Sequence, residues 1–203
     1  MKNSKIISKA LIIFAIPVVF ACEGNDDDNP QIENEAELIT VLNITLINPV
    51  TNDTTFAVFS DPDGPGGISP TVTPITLKYT GENGQYLAHV EVLDSSNPND
   101  VEQINPEILE EADMHQFFYL PNTEAGEVVN ISYDPQEIDS NGNPLGISSI
   151  WNVLGLTNQG ETVTIVLRHS PNKGGAGVAT GDITNAGGET DIEVTFQLEI
   201  QPE

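Results

Sequence analysis

Two segments of the chain gather the side chains best suited to acid–base or metal chemistry. In EILEEADMHQ, His115 closely follows Glu111 and Asp113, and in LRHSPNK, His169 stands between Arg168 and Lys173. Imidazole and carboxylate groups are typical ligands of zinc and similar divalent metals. If strand ends bring the segments together, the two histidines and two carboxylates predict such a metal site. The alternative is charge compensation, in which Arg168 pairs with a nearby glutamate and both histidines are packed.

The segment that continues from Lys173 is rich in glycine and polar side chains. KGGAGVATG lacks the G-x-x-x-x-G-K-[ST] order of a phosphate-binding loop, and no helical pattern follows it. We therefore interpret it as a long surface loop. Arg168 and Lys173 at its start, with Asp182 and Glu189 beyond it, predict a polar ligand-binding surface.

Two acidic loops have part of the pattern of a calcium-binding loop. DPDGPGG places Asp61 and Asp63 at alternate positions, but Pro65 stands where a third ligand is expected. DSNGNPLG begins at Asp139 with a D-x-N-x-N pattern, but Ile150 occupies the position of the distal glutamate. Both segments predict connecting loops, with cation binding by Asp61 and Asp63 as the alternative.

Motifs of nucleophilic and metalloprotease catalysis are absent from the sequence. There is no G-x-S-x-G and no H-E-x-x-H, and the single cysteine, Cys22, follows an apolar export-type run. With 31 acids, no carboxylate pair of the kind used by glycosidases can be singled out. We therefore predict a non-enzymatic protein, with a carboxylate-based glycan hydrolase as the least favoured alternative.

The first 21 residues have the pattern of a secretory signal. Lys2, Lys5 and Lys9 precede an apolar run that ends at Ala21. The run is too short to span a bilayer, which requires roughly 20 apolar residues. The predicted organisation is a cleaved signal peptide over residues 1–21, an acidic disordered tether over 22–36 and one domain over 37–203.

Charge restricts the partners of this chain. Cleavage after residue 21 would leave the cations Lys78, Arg168 and Lys173 against 31 acids, a formal charge of −28 compared with −25 for the whole chain. Such a charge repels nucleic acids and anionic membrane surfaces, and it favours solubility or the attraction of cations. Because only one cysteine is present, stability must come from a hydrophobic core or from bound ions.

The run VFAC, which ends at Cys22 and precedes EGNDDD, resembles the lipobox of lipoproteins from Bacteroidota. That resemblance implies a lipid attached to Cys22 and export to the outer leaflet of the outer membrane. The remainder resembles a group of flavobacterial lipoproteins that share three blocks. These are E-E-x-x-x-H-Q-F-F at Glu110, L-R-H-x-P-N-K at Leu167 and G-D-I-T-N-A-G-G-E-T-D-I-E-V-T-F at Gly181. The resemblance implies location and the extent of the fold, and no activity.

Alternating apolar residues predict eight to ten short strands and one short helix. The clearest strands are YLAHVEVL, ETVTIVLRH and DIEVTFQLEI. Asn105 as a side-chain cap and Pro106 at the first helical position predict the helix. Short strands separated by glycine, proline and asparagine turns predict an antiparallel β-sandwich of immunoglobulin-like or related Greek-key type.

These patterns together predict a lipid-anchored protein of the outer membrane, exposed at the cell surface. We expect it to bind a ligand or to support an uptake receptor, with zinc or calcium as the cofactor. The exposed glycine- and asparagine-rich loops leave an adhesive or glycan-binding sandwich as the alternative.

Overall fold

The computed structural model describes residues 38–64, 67–81, 84–123 and 127–203. The described residues all belong to one compact unit. Cys22, the predicted signal peptide and the predicted tether therefore lie outside the described residues. Within the described ranges, no helix has the length and apolar composition needed to cross a membrane.

Strands form most of the regular structure. In chain order they are β1 (Val41–Ile47), β2 (Thr54–Ser60), β3 (Thr71–Val72), β4 (Ile75–Tyr79), β5 (Gln85–Asp94), β6 (Glu102–Gln103), β7 (His115–Asn122), β8 (Val129–Tyr133), β9 (Ser148–Val153), β10 (Thr162–His169) and β11 (Glu189–Pro202). One α-helix, α1 (Asn105–Glu110), lies between β6 and β7, and short 3₁₀ helices span Ala112–Met114, Val178–Thr180 and Ile183–Asn185.

The strands form two sheets. The larger sheet has the order β3-β2-β1-β5-β9-β8, with β6 alongside β5, and the smaller sheet has the order β4-β11-β10-β7. The described strand pairs are antiparallel except for β4, which runs parallel to β11. The chain is thus an all-β sandwich with one short α-helix, as the sequence predicts.

A single large core lies between the two sheets. Alternation along β1 points Leu42 and Ile44 inward, where they are fully buried beside Trp151 from β9. The smaller sheet contributes Phe117 and Phe196, also fully buried, from β7 and β11. Each such side chain contributes about 1.5–3 kcal/mol through its removal from water. The burial pattern of the strands follows the period of two seen in the sequence.

Helix α1 begins where predicted, but its capping differs from the prediction. Asn105 does not cap the helix, because its side chain accepts a hydrogen bond from the Val92 amide and donates one to the Val90 carbonyl. These bonds attach the start of the helix to β5. Tertiary hydrogen bonding has therefore replaced the local capping bond that the sequence indicates.

The register between β10 and β11 changes by one residue at Asp191. Leu167 lies opposite Ile192, but Arg168 lies opposite Thr190, so Asp191 is an extra residue in β11. A bulge of this kind takes its residue out of the ladder and redirects the side chain. The Asp191 side chain is consequently buried, with 2% of its surface exposed, although alternation from Ile192 predicts an outward direction.

Residues 170–188, which connect β10 to β11, form a packed loop on the outer face of the smaller sheet. Val178 and Ala186 of the loop are buried against Phe118 of β7 and Val166 of β10. The glycine-rich segment is therefore ordered and has a small apolar core of its own.

The loop ends in two glycines with different surroundings. Gly187 and Gly188 both have a positive φ, of 59° and 72°. A Cβ added to Gly188 would lie 2.2 Å from the carbonyl oxygen of His169, whereas a Cβ on Gly187 would meet nothing within 4 Å. Gly188 thus allows the end of the loop to approach the backbone at the end of β10.

This difference predicts unequal effects of alanine at the two glycines. Gly187→Ala is expected to lower the free energy of unfolding by about 1 kcal/mol, because an L-residue is disfavoured at positive φ. Gly188→Ala should lower it by about 2–4 kcal/mol, since the steric conflict with His169 adds to the same backbone effect. Denaturant unfolding of both variants measures the difference. Equal losses would contradict the close approach at Gly188.

Candidate functional site

Three buried side chains meet at the end of the smaller sheet. His115 Nε2 lies 3.0 Å from His169 Nδ1 and 3.8 Å from Asp191 Oδ2. One ligand atom from each residue falls within 4.8 Å of the others. The two imidazole rings meet edge to face, with an interplanar angle of 87°. We call these three residues the His–His–Asp cluster.

Strand pairing positions the two histidines. His115 at the start of β7 lies directly opposite His169 at the end of β10. Both continue the inward faces that carry Phe117 and Leu167, so they form the polar end of the apolar core. The bulge in β11 supplies the third member, because it turns the Asp191 carboxylate toward the same point.

Burial controls the electrostatics of the cluster. It lowers the pKa of His115, despite the opposing effect of the nearby Glu111 carbonyl. Burial also raises the pKa of Asp191 to about 6, against the attraction of His169. Oδ2 of Asp191 is buried and has no hydrogen-bond partner among the described residues. A buried carboxylate oxygen without such a partner is unusual, because its desolvation is not compensated.

The predicted acidic ligands near His115 do not join the cluster through their carboxylates. Glu111 contributes its main-chain carbonyl, 3.2 Å from His115 Nδ1. Asp113 points elsewhere and accepts hydrogen bonds from the backbone amide and hydroxyl of Ser140. The structure thus brings together the two predicted histidines, but with Asp191 in place of the predicted carboxylates. The sequence does not associate Asp191 with the histidines, because a bulge leaves no signal in an otherwise regular alternation.

Lys173, a predicted ligand-binding residue, is buried and bonded within the protein. Its ammonium donates to the carbonyls of Ala112 and Pro144 at 2.6 and 3.1 Å, and to Asp139 Oδ2 at 3.2 Å. Asp139 also accepts the backbone amides of Asn141 and Asn143. The oxygen-rich loop that resembles a calcium site therefore supplies two of the three oxygens that bind the ammonium of Lys173.

The titration of this ion pair reflects both burial and bonding. Burial lowers the pKa of Lys173, while the hydrogen bond to Asp139 opposes that shift. Burial acts to raise the pKa of Asp139, but the Asn143 amide and the ammonium outweigh it and the net shift is downward. Lys173 thus links the 170–188 loop to the segment between β8 and β9 and to the segment before β7.

The other predicted ligand-binding residues lie apart from one another. Arg168 directs Nη1 to the carbonyl of Gly188 at 3.5 Å, beside the loop end. Asp182 accepts the Thr184 amide at the start of a 3₁₀ helix. Glu189 is exposed at the start of β11, opposite His169 in the register. These residues do not surround a common cavity in the described structure.

The predicted cation loop at Asp61 and Asp63 is described only in part. Asp63 Oδ2 accepts the amide of Ile68 at 2.7 Å, which closes the loop on itself. Asp61 donates its backbone amide to the Thr40 carbonyl. Pro65 lies outside the described residues, so the loop remains a prediction as a cation site.

The outer face of the larger sheet presents apolar side chains to solvent. Cross-strand pairing places Ile47 of β1 beside Leu87 of β5, and Leu87 beside Ile150 of β9. Phe56 and Val58 of β2 adjoin this row, and Phe56 is 65% exposed. We call this set of five side chains the apolar face. Patches of contiguous exposed apolar residues mark interaction sites more often than isolated ones do.

A polar groove of about 500 Å³ lies beside the second half of β11. Amide and carboxylate side chains line one wall, and residues 156–160 form the other. The side chains that carry the polar groups are Asn158, Gln159, Gln197, Glu199 and Gln201.

Comparison of the chain with protein families, with curated proteins and with solved structures gives no match. The assignment of function therefore depends on the residues and geometry of this chain.

The buried ion pair of Lys173 predicts a stability effect that an exposed pair does not have. Lys173→Met should lower the free energy of unfolding by about 3–5 kcal/mol, because Asp139 would remain buried without its cation. The matched control is Lys78→Met, which removes the half-exposed ion pair with Asp53 and should change stability little.

A second variant separates the charge of Lys173 from its packing. Adding Asp139→Asn to Lys173→Met should recover part of the lost stability, because it removes the unpaired charge and keeps the shape of the side chain. Denaturant unfolding measures all four proteins. If Lys173→Met lowers the free energy of unfolding no more than Lys78→Met does, the buried ion pair does not contribute more to stability than the exposed one.

Proposed function

We propose that this chain is a non-enzymatic accessory module, anchored by lipid at Cys22 in the outer membrane and exposed at the cell surface. The apolar face docks onto a neighbouring membrane protein. The anchor is supported by the lipobox-like sequence, and docking is supported by one structural observation. That observation is the row of apolar side chains across β2, β1, β5 and β9, in which Phe56, Ile47 and Leu87 are exposed and Val58 and Ile150 are partly exposed.

The chemistry of the apolar face supports a binding role. A sheet face in contact only with water favours alternating polar residues, but Phe56, Ile47 and Leu87 are all largely exposed here. Burial of such side chains against a partner is favourable by roughly 25 cal/mol for each Å² removed from water. Glu91 lies on the same face and accepts hydrogen bonds from Asn43 and Gln103.

Charge selects the kind of partner. Of the three cations after the predicted cleavage point, Lys78 pairs with Asp53, Lys173 is buried, and Arg168 lies in the smaller sheet. The apolar face itself carries no lysine or arginine in the part of the chain that the structure describes. A second copy of this acidic chain, or an anionic membrane, would be repelled. The complementary partner is a protein surface with an apolar centre and a basic margin.

The non-enzymatic part of the proposal is supported by the position of the His–His–Asp cluster. Its histidines are buried, so a substrate in solvent would not reach them without a rearrangement of the loop end. Substrate sites are usually concave and open to the ligand. The burial of the cluster therefore argues against direct contact with a substrate in solvent.

Isolation of the lipoprotein in mild detergent tests docking. We expect a receptor to co-purify with the wild type, and Leu87→Ser to reduce its recovery about tenfold. The matched control is Leu109→Ser, because Leu109 is 54% exposed, compared with 46% for Leu87, but lies on α1. Recovery should also fall as salt rises, since the margin of the contact is charged.

Three results would contradict this function. If the receptor is recovered equally with both serine variants, the apolar face does not take part in the contact. A dimer that Leu87→Ser dissociates would identify a second copy as the occupant. Absence of a lipid on Cys22 in mass spectrometry of the purified chain would contradict the lipid anchor.

The polar groove favours a second candidate function, the binding of neutral glycans. Amide side chains donate and accept hydrogen bonds together, which matches the hydroxyl groups of sugars. Gln197, Gln201 and Asn158 supply three such groups along one groove.

A glycan array with the mature chain tests this candidate. We expect binding that Gln197→Ala and Gln201→Ala each weaken by about tenfold, because each removes hydrogen bonds to the sugar. Gln136→Ala is the control, since Gln136 is exposed in the loop after β8. Absence of binding, or equal weakening by all three changes, would reject the groove as a glycan site.

A further inference from the structure

The carboxylate of Asp191 in the His–His–Asp cluster is not satisfied by the described contacts within the chain. Oδ2 of Asp191 is buried without a hydrogen-bond partner among the described residues, although two imidazole rings lie beside it. Its distance from His115 Nε2, 3.8 Å, is too long for a hydrogen bond. The carboxylate therefore lies close to both histidines, and no described protein group satisfies its Oδ2 by a hydrogen bond.

We propose that His115, His169 and Asp191 bind a divalent transition metal of the zinc class. The metal is bound by Nε2 of His115, Nδ1 of His169 and Oδ2 of Asp191. This inference goes beyond the docking function and is independent of it, because the apolar face belongs to the other sheet.

Two measured separations among the three ligand atoms fit a metal of this size. Zinc bonds to nitrogen and oxygen are about 2.0–2.2 Å long, so ligand atoms in a tetrahedral site lie about 3.4 Å apart. The observed separations of 3.0 Å between the two nitrogens and 3.8 Å from nitrogen to oxygen lie on either side of that value. Movements of a few tenths of an ångström would bring the atoms to the expected spacing.

The surroundings of His115 also match those of a metal ligand. A ligating histidine usually donates its other ring N–H to a carbonyl or carboxylate, which fixes the ring and its tautomer. His115 Nδ1 lies 3.2 Å from the main-chain carbonyl of Glu111. With the proton on Nδ1, the lone pair of Nε2 is directed toward His169 and Asp191. The segment before β7 thus orients the first ligand.

The type of donor selects the metal. Calcium requires six to eight oxygen ligands, whereas two imidazole nitrogens and one carboxylate suit zinc and its neighbours. Three protein donors leave a fourth tetrahedral position for water. The prediction of zinc or calcium from the sequence is therefore narrowed to the zinc class.

Binding would connect three segments of the chain. His169 immediately precedes the 170–188 loop, Asp191 follows it closely, and His115 lies at the end of the segment from α1. A metal at this point closes the base of the loop. Because the ligands are far apart in the sequence, binding to the native state stabilises it relative to the unfolded chain.

Zinc titration of the purified full chain in excess calcium tests the proposal. The excess calcium competes with zinc for weak binding to exposed carboxylates, because the chain has 31 acidic residues. We expect one zinc per chain and a rise in melting temperature of about 5–10 °C when free zinc is a hundredfold above its Kd. Cobalt in place of zinc should give the visible absorption bands of a tetrahedral centre.

Variants assign the ligands. Asp191→Asn and His169→Gln should each weaken zinc binding by about tenfold or more. His89→Gln is the matched control, because His89 is exposed on the other sheet and should have no effect. The metal-free Asp191→Asn protein should melt no lower than metal-free wild type, since it lacks the unsatisfied buried carboxylate. This comparison shows that lost zinc binding is not lost folding.

Two results would overturn the proposal. One is that the wild-type chain binds no zinc in the presence of calcium. The two histidines would then be only a hydrogen-bonded pair. The other is zinc binding that survives both Asp191→Asn and His169→Gln in folded protein, which would place the metal elsewhere.

Discussion

Burial of apolar side chains between the two sheets is the interaction on which the other features depend. The chain has one cysteine and few cations, so neither internal disulfides nor extensive ion pairing can replace this core. Both sheets contribute to it through strict alternation, and Trp151 and Phe117 are completely buried. Polar groups at the strand ends acquire defined positions because the apolar interior holds the strands in register.

Two buried polar groups then specify how the 170–188 loop is attached. Lys173 joins the loop to Asp139 and to backbone carbonyls, and the His–His–Asp cluster lies at its base. Apolar contacts such as that of Val178 are not directional, so they do not choose one arrangement of a glycine-rich loop. Hydrogen bonds in a low-dielectric interior are directional, and an incorrect arrangement would leave them unsatisfied.

The sequence predicted the sandwich because alternation with a period of two reports burial directly, as in β5 and β10. A site shared by His115 and His169 followed from the sequence only on the condition that the two strand ends meet, because strand order is not encoded in local alternation. The sequence did not associate Asp191 with the histidines, since a bulge depends on strand pairing and changes no local pattern. The buried state of Lys173 was also not predictable, because its oxygen partners include two backbone carbonyls.

The order of strands in the smaller sheet has a consequence for synthesis. All strands of the larger sheet precede β10 in the chain, whereas β4 acquires its neighbour in the smaller sheet only when β11 is made. The two halves of the core are therefore produced at different times. A growing chain carries one nearly complete sheet with its apolar inner surface uncovered, and long-range pairing of this kind is slow to form. The apolar inner surface of the larger sheet is covered only after β10 and β11 have been made.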